Sequence, residues 1–472
     1  MLRSFRVSNH RSIRAEQELL LMPAYDKAAP VVPVAAIFGA NASGKTNLLD
    51  ALSFMQHAVQ RSYADWEPGA GVPRTPFKLD PAAAAEPSVY VVELVLDGVR
   101  HIYGFEVDDE RVREEWLYSY PRGRRRTVFD RRGDELRHGS TQSESRSRQD
   151  VLADLARDDS LFLSSAARTK LVRDVMPVYE WFQQALVWSD ASAESGWQRF
   201  SERVAPTAPR RNETIQLLRL ADLGIIDVRV ERQADSFEDA VKVARHQQRE
   251  ASEAVRRAQA DFDELRREDV GQRIEQWKAK GAAIEAEMQS ATMSLLDAVA
   301  ALEQQQRSGP ALRFVQARSG VSLSLAEQSA GTQSWILLMS AAQDVLEAGS
   351  VLVVDEIDSS LHPRLTARLI ELFRDQRTNP RSAQLLFTTH DATLLGTSFG
   401  REILARDQVW FVAKDSAGET ALFPLTDFHP RKEENTERRY LGGSYGAVPA
   451  VFSDTLVEGY LEARRELVNG TT

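Results

Sequence analysis

The residues Gly39-Ala40-Asn41-Ala42-Ser43-Gly44-Lys45-Thr46 satisfy the spacing G-x-x-x-x-G-K-[ST]. Glycines and small residues at these positions let backbone N–H groups close around anionic oxygens at the positive end of a helix. Lys45 is then placed to reach the β and γ phosphates of a nucleotide, the Thr46 hydroxyl to ligate Mg²⁺, and Asn47 to continue the loop into the helix. A second candidate is Asp355-Glu356, two adjacent carboxylates that follow the apolar run Val351-Leu352-Val353-Val354. Asp355 suits a metal ion, and Glu356 suits a general base that polarises an attacking water. Taken alone, the pair could equally precede an acid-capped helix. The third is His390, which ends the run Leu385-Leu386-Phe387-Thr388-Thr389 and is placed to reach a terminal phosphate.

Glu327-Gln328-Ser329-Ala330-Gly331-Thr332-Gln333 offers a serine and small residues just ahead of a helix that leads to the acidic run. Ser329 and Gly331 are candidates for contact with a phosphate. A plain N-cap before the helix Trp335–Ala342 is the other reading of the same letters. After Glu356, Ile357-Asp358-Ser359-Ser360-Leu361-His362-Pro363 forms the loop that leaves the acidic pair.

These groups need elements that bring them to one edge. Val31 to Phe38 is almost purely apolar, then small and polar, then helical from Lys45 through Phe54, which predicts strand, loop, helix. Val351–Val354, Gln384–Thr388 and Gln408–Val412 alternate with helical stretches, as in a mostly parallel, helix-covered sheet. Asp97-Gly98 predicts a tight hairpin between Val89–Leu96 and His101–Val107. Pro121-Arg122-Gly123 predicts another between Glu114–Tyr120 and Thr127–Asp130. From Ser236 to Arg307 the chain is rich in Ala, Glu, Gln and Arg, with apolar residues stepping by four and three. A short antiparallel coiled coil, or two amphipathic helices packed on the core, accounts for it. The expected division is an N-terminal ATPase lobe over 1–190, a helical insertion over 191–310 and a C-terminal lobe over 311–472.

The 472 residues carry a net charge of −10, so nucleic-acid contact requires a local basic patch against a repelling global field. Arg122, Arg124, Arg125, Arg126, Arg131 and Arg132, with Arg210-Arg211, are the candidates for one; a solvated charged loop is the alternative. The absence of cysteine excludes disulfides, thiolate zinc sites and cysteine nucleophiles. No apolar run approaches the roughly 18 residues needed to span a bilayer, so a cytoplasmic protein without membrane contact is expected.

Together these pieces resemble the ABC-type ATPase heads of the SMC, RecF and overcoming-lysogenization-defect (OLD) class. The resemblance includes Phe5-Arg6-Val7-Ser8-Asn9-His10-Arg11-Ser12-Ile13, similar to that class's first strand, where Asn9 and Arg11 would approach the nucleotide. It extends to Pro76-Phe77-Lys78-Leu79, Tyr103-Gly104-Phe105, Glu115-Trp116-Leu117-Tyr118 and Tyr440-Leu441-Gly442-Gly443-Ser444-Tyr445-Gly446-Ala447. The implied fold is an α/β phosphate-loop head with mixed and parallel sheets flanked by helices. ATP and Mg²⁺ are the implied ligands, and a head-to-head dimer the implied assembly, in which Ser329 and Gly331 would meet a phosphate held by the second copy and the loop after Glu356 would cross the interface. The middle and late segments resemble stand-alone ATPases of abortive infection and phage defence, often paired with a Toprim-type or RloB-like nuclease. Departures are plain: Ser329-Ala330-Gly331-Thr332 replaces a serine and two glycines, and no Toprim-like acidic cluster follows Tyr445. The resemblance leads to an ATPase switch controlling an effector; a DNA-binding ATPase of repair or end recognition is the alternative.

Overall fold

The computed structural model describes residues 1–25, 29–139, 157–169, 172–189, 193–231, 311–359, 361–397, 400–429, 434–448 and 458–462. The first elements are β1 (Leu2–Ser8), β2 (Gln17–Leu20), β3 (Val34–Phe38), α1 (Lys45–Asp65) and α2 (Pro81–Ala85). Five strands follow: β4 (Ser88–Leu96), β5 (Val99–Val107), β6 (Val112–Tyr120), β7 (Arg126–Arg132) and β8 (Glu135–His138). Then come α3 (Phe162–Thr169), α4 (Met176–Glu180), β9 (Leu186–Trp188), α5 (Ala193–Val204), α6 (Arg211–Leu220) and β10 (Ile225–Glu231). The rest is β11 (Ala311–Gln316), β12 (Ser322–Ser324), α7 (Ala330–Ala348), β13 (Val351–Val354), α8 (Pro363–Arg374), β14 (Gln384–Thr389), β15 (Val409–Lys414), β16 (Thr420–Pro424) and α9 (Thr436–Leu441).

The chain divides into two compact units, Met1–Ala191 with Ala341–Thr472, and Ser192–Ser340. The first unit holds two sheets. One is antiparallel, in the order β2-β1-β4-β5-β6-β7-β8; the other has the order β16-β15-β3-β14-β13-β9. In the second, β9, β13, β14, β3 and β15 all run parallel, and β16 joins β15 antiparallel at the edge. This is the expected α/β class, with mixed and parallel sheets flanked by helices.

Apolar content explains the parallel set. Val34–Phe38, Val351–Val354 and the whole of Gln384–Thr389 are buried on both faces, as strands covered by helices must be. Helix α1 follows from leucines at 48, 49 and 52, then Met55 and Val59, which repeat at helical spacing and bury one face. Its Phe54 ring lies 5.0 Å from Tyr90 on the antiparallel sheet. Gln56 donates to the Phe182 and Leu186 carbonyls at 2.7 and 2.9 Å, fixing β9. Both predicted hairpins form; Asp97 and Gly98 take φ of 48° and 76°, the left-handed pair that a two-residue turn requires.

The second unit pairs β10, β11 and β12 antiparallel over a core of Trp197, Phe200, Ile215, Leu218, Phe314 and Ile336. Its strands β11 and β12 and the Ser329 turn group with residues 193–231, whereas the sequence division had placed them in a C-terminal lobe. Glu231 and Ala311 are partners in the β10–β11 register. The coiled-coil expectation for Ser236 to Arg307 lies outside the described residues.

Candidate functional site

Because β13, β14 and β3 are parallel neighbours, their C-terminal ends share one edge of the sheet. Val354 is level with Phe387, and Thr389 with Phe38. The chain therefore delivers Gly39, Asp355-Glu356 and His390 to that edge in adjacent positions, as open α/β sheets do at their ligand sites.

The phosphate loop is tightly built. Ser43 N donates to the Ala40 carbonyl at 3.2 Å, and Ala42 and Gly44 take φ of 63° and 108°. A Cβ on Gly39 would stand 2.5 Å from the Val412 carbonyl oxygen, so glycine is required there by space. Gly44 is the N-cap of α1 and supplies no side-chain cap, which leaves the first helical N–H groups for another acceptor. Ser43 Oγ is buried and without a partner. Lys45 is 5% exposed, and its Nζ donates to the Gly39 and Ala40 carbonyls at 2.6 and 3.0 Å. Burial pulls its pKa below the ordinary 10.5, and Glu356, Asp358 and Asp355 partly oppose that shift. These three carboxylates therefore lie within electrostatic reach of the ammonium. Asn41, Ala42 and Thr46 are exposed, and Asn47 and Ala40 are half-buried.

Thr388 organises the acidic pair. Its fully buried hydroxyl donates to Asp355 Oδ1 and accepts from Glu356 N at 2.7 Å. Glu356 holds φ at 47°, a left-handed conformation that costs a non-glycine residue on the order of 1 kcal/mol. Both Asp355 and Glu356 are exposed. His390 is exposed too; its Nδ1 stands 2.8 Å from Asp358 Oδ2, and its backbone N–H donates to the same oxygen at 3.3 Å. Asp358 Oδ1 is buried without a partner. Among the described residues no group of three or more His, Cys, Asp or Glu forms a metal site. A hydroxyl such as that of Thr46 and a carboxylate such as that of Asp355 would make a hard, sparse donor set of the kind Mg²⁺ takes while keeping its waters and phosphate ligands.

Other expected residues are placed differently. Asn9 is buried and its amide is taken up by the protein: it donates to the Ala83 and Glu86 carbonyls at 2.8 and 2.6 Å and accepts from Phe77 N at 2.9 Å. Arg11 pairs with Asp50 of α1, as His10 does at 2.8 Å. Ser329 belongs to the second unit and caps α7, accepting from Thr332 N at 3.1 Å; Gly331 lies within that first turn. The basic hairpin is largely committed. Arg131 is buried and bonded to three backbone carbonyls, Arg126 pairs with Asp174, Arg125 lies over Tyr118 at 3.8 Å, and Arg132 faces Glu114 and Asp130. Arg211 pairs with Asp227, and Arg210 with Glu213. Arg122 and Arg124 stay exposed. Tyr440 of the late motif packs against Phe38 with ring centroids 5.8 Å apart, and burial, with Asp358 adding to it, pushes its hydroxyl up to about 12.

A family model described as "AAA domain, putative AbiEii toxin, Type IV TA system" matches residues 34–396. The chain belongs to this family. Membership supports an ATPase and implies nucleotide binding, usually with Mg²⁺. The family stretch begins at the first residue of β3 and ends at Gly396, and so contains the phosphate loop, the acidic pair and His390. No curated protein matches the chain. Among solved structures, an Smc head domain with an extended coiled coil, bound to the C-terminal domain of ScpA and derived from Pyrococcus furiosus, is similar at 13% identity and a TM-score of 0.36. That match covers 91% of this chain and 97% of that one. Among the described residues no helix is long and apolar enough to cross a membrane.

Sequence reasoning gave no role to Thr388, Ser12 and Thr420, and took Asp358 only as part of the loop after Glu356. Thr388 was visible as a polar residue ending an apolar strand; Ser12 and Thr420 carried no local signal.

Proposed function

We propose that the chain is an ATP-binding and ATP-hydrolysing switch whose copies pair head to head around the nucleotide. In this reading the Gly39–Gly44 backbone and Lys45 hold the phosphates, and Thr46 and Asp355 hold Mg²⁺, which would neutralise phosphate charge. Glu356 accepts the proton of the attacking water as its oxygen bonds to the terminal phosphorus, and the ADP oxygen departs. His390, oriented by Asp358 through Nδ1, presents Nε2 to the terminal phosphate and donates to it when both ring nitrogens carry a proton. Ser329 and Gly331 of a second copy close the exposed side. The observation that carries the reading is the buried Lys45 ammonium, which lies in the field of Asp355, Glu356 and Asp358 at the end of the phosphate-loop strand. With the family's toxin-system description, the same reading makes the chain the regulatory ATPase of an anti-phage system of abortive-infection type, acting in the cytoplasm on an effector such as a Toprim-type or RloB-like nuclease.

The test is sedimentation of wild type, Glu356→Gln and Lys45→Ala with and without Mg-ATP. Glu356→Gln is expected to accumulate a nucleotide-dependent pair that Lys45→Ala does not form. Three proteins sedimenting alike under all conditions would sink the pairing mechanism.

A further inference from the structure

Thr420, the first residue of β16, lies outside the matched family stretch, as does Ser12 in the turn between β1 and β2. The Thr420 hydroxyl nevertheless donates to the Ser43 carbonyl at 3.0 Å. Ser12 Oγ stands 2.7 Å from Thr420 Oγ1, and the Asn47 amide donates to Ser12 Oγ at 2.5 Å. A carbonyl oxygen can only accept, so Thr420's one hydroxyl proton is committed to Ser43. Ser12 must then donate to Thr420 and accept from Asn47. The four groups form a one-way chain from the first turn of α1, through the β1–β2 turn and the start of β16, back into the phosphate loop.

Its end point matters because a peptide unit is planar and trans. With the Ser43 carbonyl turned toward Thr420, the N–H of Gly44 in the same unit is turned away from it. The contact is close: a Cβ on Gly44 would fall 2.3 Å from Thr420 Oγ1 and 3.0 Å from Ser12 Oγ. A backbone bond from Thr420 N to Ser12 O at 2.8 Å repeats the tie, and the Glu419 carboxylate adds to it by accepting from Ala15 N at 2.9 Å. Thr420 is 1% exposed, so bulk water does not replace its hydroxyl if it is removed.

We infer that Thr420 and Ser12 are positioning residues for nucleotide binding, which hold the Ser43–Gly44 peptide with its N–H presented to phosphate. This rests on the ATP reading proposed above. Thr420→Val keeps the shape and removes the donor, leaving the Ser43 carbonyl and the Ser12 hydroxyl proton unmatched. Its equilibrium affinity for Mg-ATP should fall on the order of tenfold or more, with KM rising in parallel and kcat changed less than about twofold. Thr420→Ser, which retains the donor, should restore binding. Ser12→Ala breaks the chain one link earlier, in a half-buried turn, and should weaken binding in the same direction if Thr420→Val fails to fold.

Normal ATP affinity in Thr420→Val or Ser12→Ala, or Thr420→Ser as weak as Thr420→Val, overturns the inference and leaves the ATP reading standing. Wild-type protein that binds no Mg-ATP, and so does not differ from Lys45→Ala, overturns the ATP reading and this inference with it.

Discussion

Two helices begin at the segments that the sequence marks for phosphate, and they begin differently. Helix α1 starts at Gly44, which has no side chain to offer, and its first turn contains no acidic residue. Helix α7 starts after Ser329, whose hydroxyl accepts from Thr332 N and meets the Thr332 hydroxyl at 2.9 Å. The free N–H groups of a helix start need an acceptor. At α1 no capping side chain meets that demand, beside a buried ammonium and a buried, unpartnered Ser43 hydroxyl. At α7 it is met by the chain itself, in an exposed turn. One start is therefore left open, as the proposed anion site requires, and the other would become one only by sharing its cap.

The largest expected effect lies at the acidic pair beside the first start. Glu356→Gln keeps size and loses the base, so kcat for phosphate release should drop on the order of 10²- to 10⁴-fold while Mg-ATP still binds. An unaltered kcat would remove Glu356 from the chemistry. Lys45→Ala acts on the start itself. It removes a charge-assisted contact to phosphate, and equilibrium binding should weaken on the order of a hundredfold; affinity within error of wild type would mean that α1 is not the anion site.

Ser329→Asp separates the two roles of the second start. Aspartate caps a helix as well as serine does, so thermal stability should hold, whereas Ser329→Ala should cost about 1 kcal/mol. A carboxylate facing phosphate is repulsive, so ATP-dependent pairing and turnover should fall in Ser329→Asp although its fold is intact. Unchanged turnover in that variant would leave Ser329 as a cap alone.

What the sequence made legible follows the same division. The phosphate loop, the acidic pair and the strand carrying His390 were readable because each is a local pattern, with spacing and flanking hydrophobicity in one short window. The parallel sense of β13, β14 and β3 followed from alternation of strands and helices; their order in the sheet did not. Ser12 and Thr420, 408 positions apart, were not readable. They meet only because the edge strand β16 runs past the β1–β2 turn, and a serine or threonine at a strand end looks like any other. The commitments of the basic hairpin were hidden for a related reason: its arginines are countable in sequence, but the Ser160 and Arg157 carbonyls that absorb Arg131 and the Asp174 carboxylate that absorbs Arg126 come from elsewhere in the chain. Asn9 was expected at the nucleotide, and its buried amide instead fastens the segment around Phe77 and Glu86.

The smallest expected effect is a pH dependence confined to the first start. Burial lowers the pKa of Lys45 from 10.5, against the opposing pull of Glu356, Asp358 and Asp355. Between the lowered value and 10.5 the unfolded chain holds this proton and the folded chain does not, so the free protein gains stability as pH rises through that window. Phosphate reverses the balance by favouring the ammonium. Binding in the same window then takes up a proton, and affinity for ATP should fall as pH rises, by at most about tenfold per pH unit for a single group. Below the window affinity should be flat. Titration calorimetry in alkaline buffers of differing ionisation enthalpy would register the proton, and Lys45→Arg, charged throughout, should take up none. An alkaline fall that persists in Lys45→Arg would place the titrating group elsewhere and leave the buried ammonium without a part in the contrast between the two helix starts.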